Sequence, residues 1–89
     1  MISRQLRIVN EKGLHARASA RFVEVVEAHD AEVRVSRDGM RVTGDSIMGL
    51  LMLGAARGCD IDVEAEGPQA AEVMDALETL VAGRFGEDF

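Results

Sequence analysis

The run Gly13-Leu14-His15-Ala16-Arg17 places an imidazole and a guanidinium two positions apart, after a glycine-containing loop and at the start of a helically spaced apolar stretch. Neither side chain is needed for packing. At a helix start several N–H groups lack intrahelical acceptors and the helix dipole is positive, so an anion such as phosphate can bind through backbone donors. A positive helix end also favours neutral imidazole, which leaves a ring nitrogen lone pair free as a nucleophile. His15 is therefore the candidate nucleophile, and Arg17 the candidate clamp on phosphoryl oxygens. The structural alternative for the same histidine is a cap or a partly buried polar residue. Spacing pairs no carboxylate or serine with His15, so a hydrolase triad has no support, and a lone nucleophile fits carriage of a group better than turnover. His29 is read as a partner of the negative end of the same helix, not as a ligand.

A second signal lies at Ser46-Ile47-Met48-Gly49-Leu50-Leu51-Met52-Leu53, which holds more apolar residues than one buried helical stripe can use. With Ile47, Leu50 and Leu53 inward, Met48, Leu51 and Met52 fall on the flanks or outside, leaving an apolar patch suited to protein contact. A wholly buried helix is the alternative. Ser46 reads as the helix N-cap, and phosphate added there would meet the dipole favourably beside that patch.

The elements that must position these residues follow from periodicity. Residues 2–9 alternate as a first strand, and helix A runs from Ala16 to Ala28 with Ala16, Ala20, Val23 and Val26 at helical spacing. Val33 and Val35 belong to a second strand, and Asp38-Gly39 turns it into a third at Met40–Thr43. Helix B ends near Leu53, Asp60–Glu66 alternates as a fourth strand, and Pro68 opens helix C, whose face is Val73, Leu77, Leu80 and Val81. Gly83 ends that helix and the tail Arg84–Phe89 is expected to fray. The order β-α-β-β-α-β-α predicts an α+β fold, an open-faced two-layer sandwich of a four-stranded antiparallel sheet covered on one face by three helices. Residues 1–89 read as a single domain, with no repeat or linker.

Composition narrows the function classes. Sixteen acidic and ten basic residues give −6 at pH 7, and only three aromatic residues are present, which makes nucleic acid and anionic membrane poor partners. Cys59 has no second thiol to bridge to, and neither a metal site nor a cofactor is indicated. No signal peptide and no membrane-length apolar run occurs, so a cytoplasmic monomer is expected.

Gly13-Leu14-His15-Ala16-Arg17 together with Asp45-Ser46-Ile47-Met48-Gly49 resembles the HPr phosphocarriers of the bacterial phosphotransferase system, and motif separation, element order and length agree from Ile2 to Gly83. Leu50-Leu51-Met52-Leu53, Asp62 to Gln69 and Gly83 to Asp88 look most like the nitrogen-branch type, NPr. The resemblance implies that His15 accepts a phosphoryl group on Nδ1 from phosphorylated enzyme I, charged by phosphoenolpyruvate, and passes it to an EIIA-type protein, with Arg17 as phosphate partner. It also implies that Ser46 matches the serine modified by an HPr kinase/phosphorylase, and that Ile47, Met48, Leu51 and Met52 form the partner-binding surface. The protein would then be a covalent carrier and not an enzyme in the usual sense. One departure is Ala18, where the family usually has proline; its absence is expected to loosen the His15 pocket by under about 1 kcal/mol and to alter rates without losing function. Two rivals remain at this point: a regulatory binding module acting through helix B without phosphoryl transfer, and a dimeric small-molecule sensor.

Overall fold

Alternation of apolar and charged residues builds one sheet. A computed structural model describes every residue from Met1 to Phe89. Its elements are β1 (Ile2–Arg7), α1 (Ala16–Glu27), β2 (Glu32–Arg37), β3 (Met40–Thr43), α2 (Ile47–Met52), β4 (Asp60–Glu66), α3 (Ala70–Ala82) and a 3-10 turn at Arg84–Gly86. The strands lie in the order β1-β4-β2-β3, all antiparallel, with Leu6 opposite Ile61 and Val35 opposite both Val63 and Val42. Val33, Val35, Ile61, Val63 and Ala65 are buried under the helices, and the acids of β4 alternate with them on the open face. Those acids would repel one another, but Arg7 pairs with Asp60 at 3.0 Å, Arg34 with Glu66 at 3.0 Å, and Arg41 with Glu64. The expected open-faced sandwich is what forms.

Asp38 and Gly39 both take positive φ, 51° and 82°, the geometry that a two-residue hairpin between twisted strands demands. The helices pack with some differences from the sequence expectation. The buried stripe of α1 is Ala18, Ser19, Phe22, Val23 and Val26, while Ala16 is exposed and Ala20 half-buried. Phe22, fully buried, sets the rotation of the helix, and the small alanines follow it. Ser19 tolerates burial because its Oγ donates to the Leu14 carbonyl at 3.3 Å. Helix α3 starts at Ala70, later than expected. Pro68 belongs to the preceding turn, where Gly67 has φ 119° and Gln69 bonds Asp30 by its N–H, at 3.0 Å, and by its Oε1, at 2.6 Å.

The largest correction concerns the C-terminal tail, which is folded back and not frayed. Phe85 is fully buried in the same core as Phe22, Ile8, Leu50 and Leu77. To reach that position Arg84 and Phe85 adopt φ of 58° and 54°, a left-handed conformation that costs a non-glycine residue about 1 kcal/mol or more. Full burial of a phenylalanine, about 1.5–3 kcal/mol, is large enough to offset that cost. Beyond it the Glu11 N–H donates to the Phe89 carbonyl at 2.9 Å, which ties the tail to the loop between β1 and α1.

Candidate functional site

That loop is shaped by two residues. Gly13 has φ 67°, and a Cβ there would lie 2.6 Å from the Ala55 carbonyl oxygen, so only glycine allows the loop to press against the segment after α2. Asn10, fully buried, donates from Nδ2 to the Gly13 carbonyl at 2.8 Å and to Glu87 Oε1 at 3.0 Å. Leu14, buried in the core, holds the next position, and His15 follows as the N-cap of α1 with extended backbone. His15 is thus the residue before the helix and not within its first turn.

The cap is made by the imidazole itself. Nδ1 accepts from the Arg17 N–H at 3.3 Å, so the Nδ1 lone pair faces the helix amides. Nε2 contacts Glu87 Oε2, and a carboxylate at that nitrogen requires the ring proton on Nε2. Both contacts specify the same tautomer. The first α-helical bond runs from the Ser19 N–H to the His15 carbonyl at 2.8 Å, and the amides of Ala16 and Ala18 have no acceptor within the protein. A proline at 18 would lack that N–H; alanine keeps it, and its methyl is fully buried.

His15, Lys12, Arg17, Arg21 and Glu87 line an open cavity of about 550 Å³. Arg4, Arg7, Arg34, Arg37 and Arg41 are committed to ion pairs elsewhere, whereas Lys12, Arg17 and Arg21 have no carboxylate partner. Arg57 and Arg84 also lack a carboxylate partner but do not line this cavity, so three of the five unpaired cations gather around the imidazole of a chain that is acidic overall. A second cavity, of about 490 Å³, is bordered by Asp30, Glu32, Asp45 and Glu66 with no cation, so it is unsuited to an anion, and the cations lining two slightly smaller ones, Arg4 and Arg7, are already paired with carboxylates. No group of side chains is arranged to hold a metal.

Burial pushes the Glu87 carboxyl up, but hydrogen bonds from Asn10 and His15 and the nearby charges of His15 and Lys12 outweigh it, and the net result lies below the ordinary carboxylate range. The folded carboxyl thus binds its proton less readily than the unfolded one. Its contacts contribute stability above the ordinary carboxylate range and lose it as pH falls through the lowered value. Protection of the Glu11 and Glu87 amides from hydrogen exchange, corrected for the intrinsic rate, should stay constant through neutral pH and fall only across that acid window. Protection that fell near neutrality would show that another group holds the tail.

Ser46 caps α2, with Oγ accepting from the Gly49 N–H at 3.0 Å. Leu50 and Leu53 are buried as expected, but Ile47 is exposed, since a six-residue helix turns only Leu50 fully into the core. Ile47 is 40% exposed, Met48 70%, Leu51 37% and Met52 65%, which makes a contiguous apolar face on a helix packed beside α1. His29 Nδ1 donates to the Val25 carbonyl at 2.7 Å, the helix-end role expected of it. Sequence reasoning missed Glu87, Asn10 and Lys12. The signal for Glu87 was Phe85, an aromatic residue between two glycines in a tail otherwise polar until Phe89.

A small α+β sandwich that caps its first helix with an exposed-edge histidine, ringed by unpaired cations, is the architecture of a phosphoryl-carrying domain. The family profile described as "PTS HPr component phosphorylation site" matches residues 2–83. The phosphocarrier protein HPr of Cupriavidus necator is 45% identical over 98% of both chains, and the phosphocarrier protein NPr of Escherichia coli is 38% identical over 98% of both. The crystal structure of HPr from Thermoanaerobacter tengcongensis superposes with a TM-score of 0.95 at 35% identity, covering all of both chains. The chain belongs to the HPr family of phosphocarriers of the phosphotransferase system.

Proposed function

We propose that His15 accepts a phosphoryl group on Nδ1 from phosphorylated enzyme I, itself charged by phosphoenolpyruvate, and passes it to an EIIA-type protein. The observation that carries this reading is the Nδ1 lone pair held at the start of α1, facing helix amides and opening on the cavity of Lys12, Arg17 and Arg21. Attack by Nδ1 forms the new N–P bond as the bond between phosphorus and the donor's nitrogen breaks, and that electron pair returns to the donor. The ring becomes cationic with its proton still on Nε2. The Arg17 N–H, which capped Nδ1, is released to donate to a phosphoryl oxygen together with the free amides of Ala16 and Ala18. The Arg17 guanidinium, which lines the cavity and forms no ion pair, is available to the same oxygens. Transfer to an acceptor reverses these steps.

Ile47, Met48, Leu51 and Met52 form the docking face for successive partners in this reading, with Lys12, Arg17 and Arg21 steering toward acidic surfaces. The compartment it requires is the cytoplasm, consistent with a free Cys59. Intact mass after incubation with phosphoenolpyruvate and enzyme I should show one added acid-labile phosphate; no addition rejects the carrier role.

Ser46 is proposed as a regulatory site for an HPr kinase/phosphorylase. Its hydroxyl already faces the start of α2, so a phosphate there would keep an acceptor at the cap while adding charge beside the apolar face. Replacing Ser46 with alanine removes the cap and should lower stability by about 1 kcal/mol, read as a fall of roughly 4–8 °C in Tm. An unchanged Tm would mean that the cap contributes nothing.

A further inference from the structure

We propose that Glu87 is a positioning residue for His15: held through its other oxygen by buried Asn10, it keeps the ring proton on Nε2, presents Nδ1 as the atom that meets phosphorus, and faces the ring while it carries the phosphoryl group. This deepens the carrier reading and rests on it for its use, but it is argued from geometry alone. The two ring nitrogens of a neutral histidine differ only in which bears the proton, and a hydrogen bond at one decides the chemistry of the other. Here the partner at Nε2 comes from the C-terminal tail, 72 residues away in the chain. The tail is itself anchored by fully buried Phe85 and by the Glu11–Phe89 backbone bond. The Glu87 side chain is only 17% exposed and has both oxygens engaged, one by Asn10 and one by His15. Positioned in this way, it acts on the ring and does not touch the phosphoryl group.

The consequence is electrostatic as well as geometric. When Nδ1 bonds phosphorus, the ring gains a positive charge that a carboxylate at Nε2 stabilises, and when the group departs, the neutral imidazole leaves with its Nε2 proton in place. Protonated phosphoimidazole is the labile form, so the carboxylate should extend lability to higher pH. Other charges face the site: Glu11 and Lys12 from the loop, Arg17 and Arg21 from α1, and Asp88 from the tail. None of these charged groups forms a hydrogen bond or ion pair with the ring, and the substitutions below leave them in place.

The test compares the unmodified protein with Glu87→Gln and Glu87→Ala. Histidine nitrogen NMR on the unphosphorylated proteins needs no partner and reads the tautomer directly. The native chain and Glu87→Gln should show His15 with the proton on Nε2, because an amide oxygen accepts the same bond, whereas in Glu87→Ala only the long 3.3 Å bond from the Arg17 N–H still selects that form, and a measurable share of the Nδ1–H tautomer should appear. The proteins are then phosphorylated with phosphoramidate, a small N-phosphoryl donor, and the rate of phosphohistidine hydrolysis is followed against pH. Both variants should move the profile toward acid by about one unit. A single Nε2–H tautomer in Glu87→Ala, or an unmoved profile in Glu87→Gln, overturns the proposal. Because neither measurement uses enzyme I, failure of transfer from enzyme I counts against the carrier reading and not against this one.

Discussion

His15→Ala should take up no acid-labile phosphate from phosphorylated enzyme I, while remaining folded. The loss is complete, not partial, because the alternatives are disqualified by their surroundings: His29 bonds the Val25 carbonyl at the negative end of α1, outside the cationic cavity and where an incoming phosphate is repelled, and the thiol of Cys59 contacts the Arg37 guanidinium, also away from that cavity. The structural cost is small. Alanine removes the ring that caps the Arg17 amide, a change that costs about 1 kcal/mol in typical helices, and releases Glu87 toward solvent. Intact mass and thermal unfolding measured on one preparation separate the two effects. Residual acid-labile phosphate on the variant would place the acceptor elsewhere.

Phe85→Ala should be the most destabilising single change in the tail, at about 3–5 kcal/mol, a large share of the 5–15 kcal/mol typical of a folded domain. Phe85 is fully buried, so truncation leaves a cavity among core residues, and nothing then offsets the left-handed backbone at Arg84 and position 85. The effect should also reach the site, since the same segment delivers Glu87 to His15. Urea unfolding should show a lower midpoint with a similar slope. A loss below about 1 kcal/mol would mean that the tail is attached only loosely and that its contact with His15 is incidental.

These two residues also mark where the sequence was informative and where it was not. His15 and Arg17 stood out because their chemistry is concentrated in five consecutive residues, and the strands were readable because Val33, Val35, Ile61 and Val63 alternate with charged neighbours over whole segments. The Asp38-Gly39 hairpin and the Ser46 cap were legible for the same reason, each being a local rule with a local residue signature. What escaped depends on tertiary context. Val23 and Val26 were placed correctly on the buried side of α1, but counting alanines as equal to Phe22 put Ala16 and Ala20 there in place of Ala18 and Phe22, because burial follows the largest side chain. Pro68 fits a first helical turn as well as a preceding turn, and contacts to Asp30 decided for the latter. The tail is too short for any period to show, so the burial of Phe85 and the arrival of Glu87 beside His15 had no repeating pattern to announce them.

The central claim is that Nδ1 of His15 is the atom that bonds phosphorus. Nitrogen–phosphorus coupling, measured by NMR on histidine-labelled protein after incubation with phosphoenolpyruvate and enzyme I, reports the bonded atom directly. The account predicts one phosphoryl group coupled to Nδ1 of His15. Coupling to Nε2 of His15, to either nitrogen of His29, or to no histidine at all would contradict it.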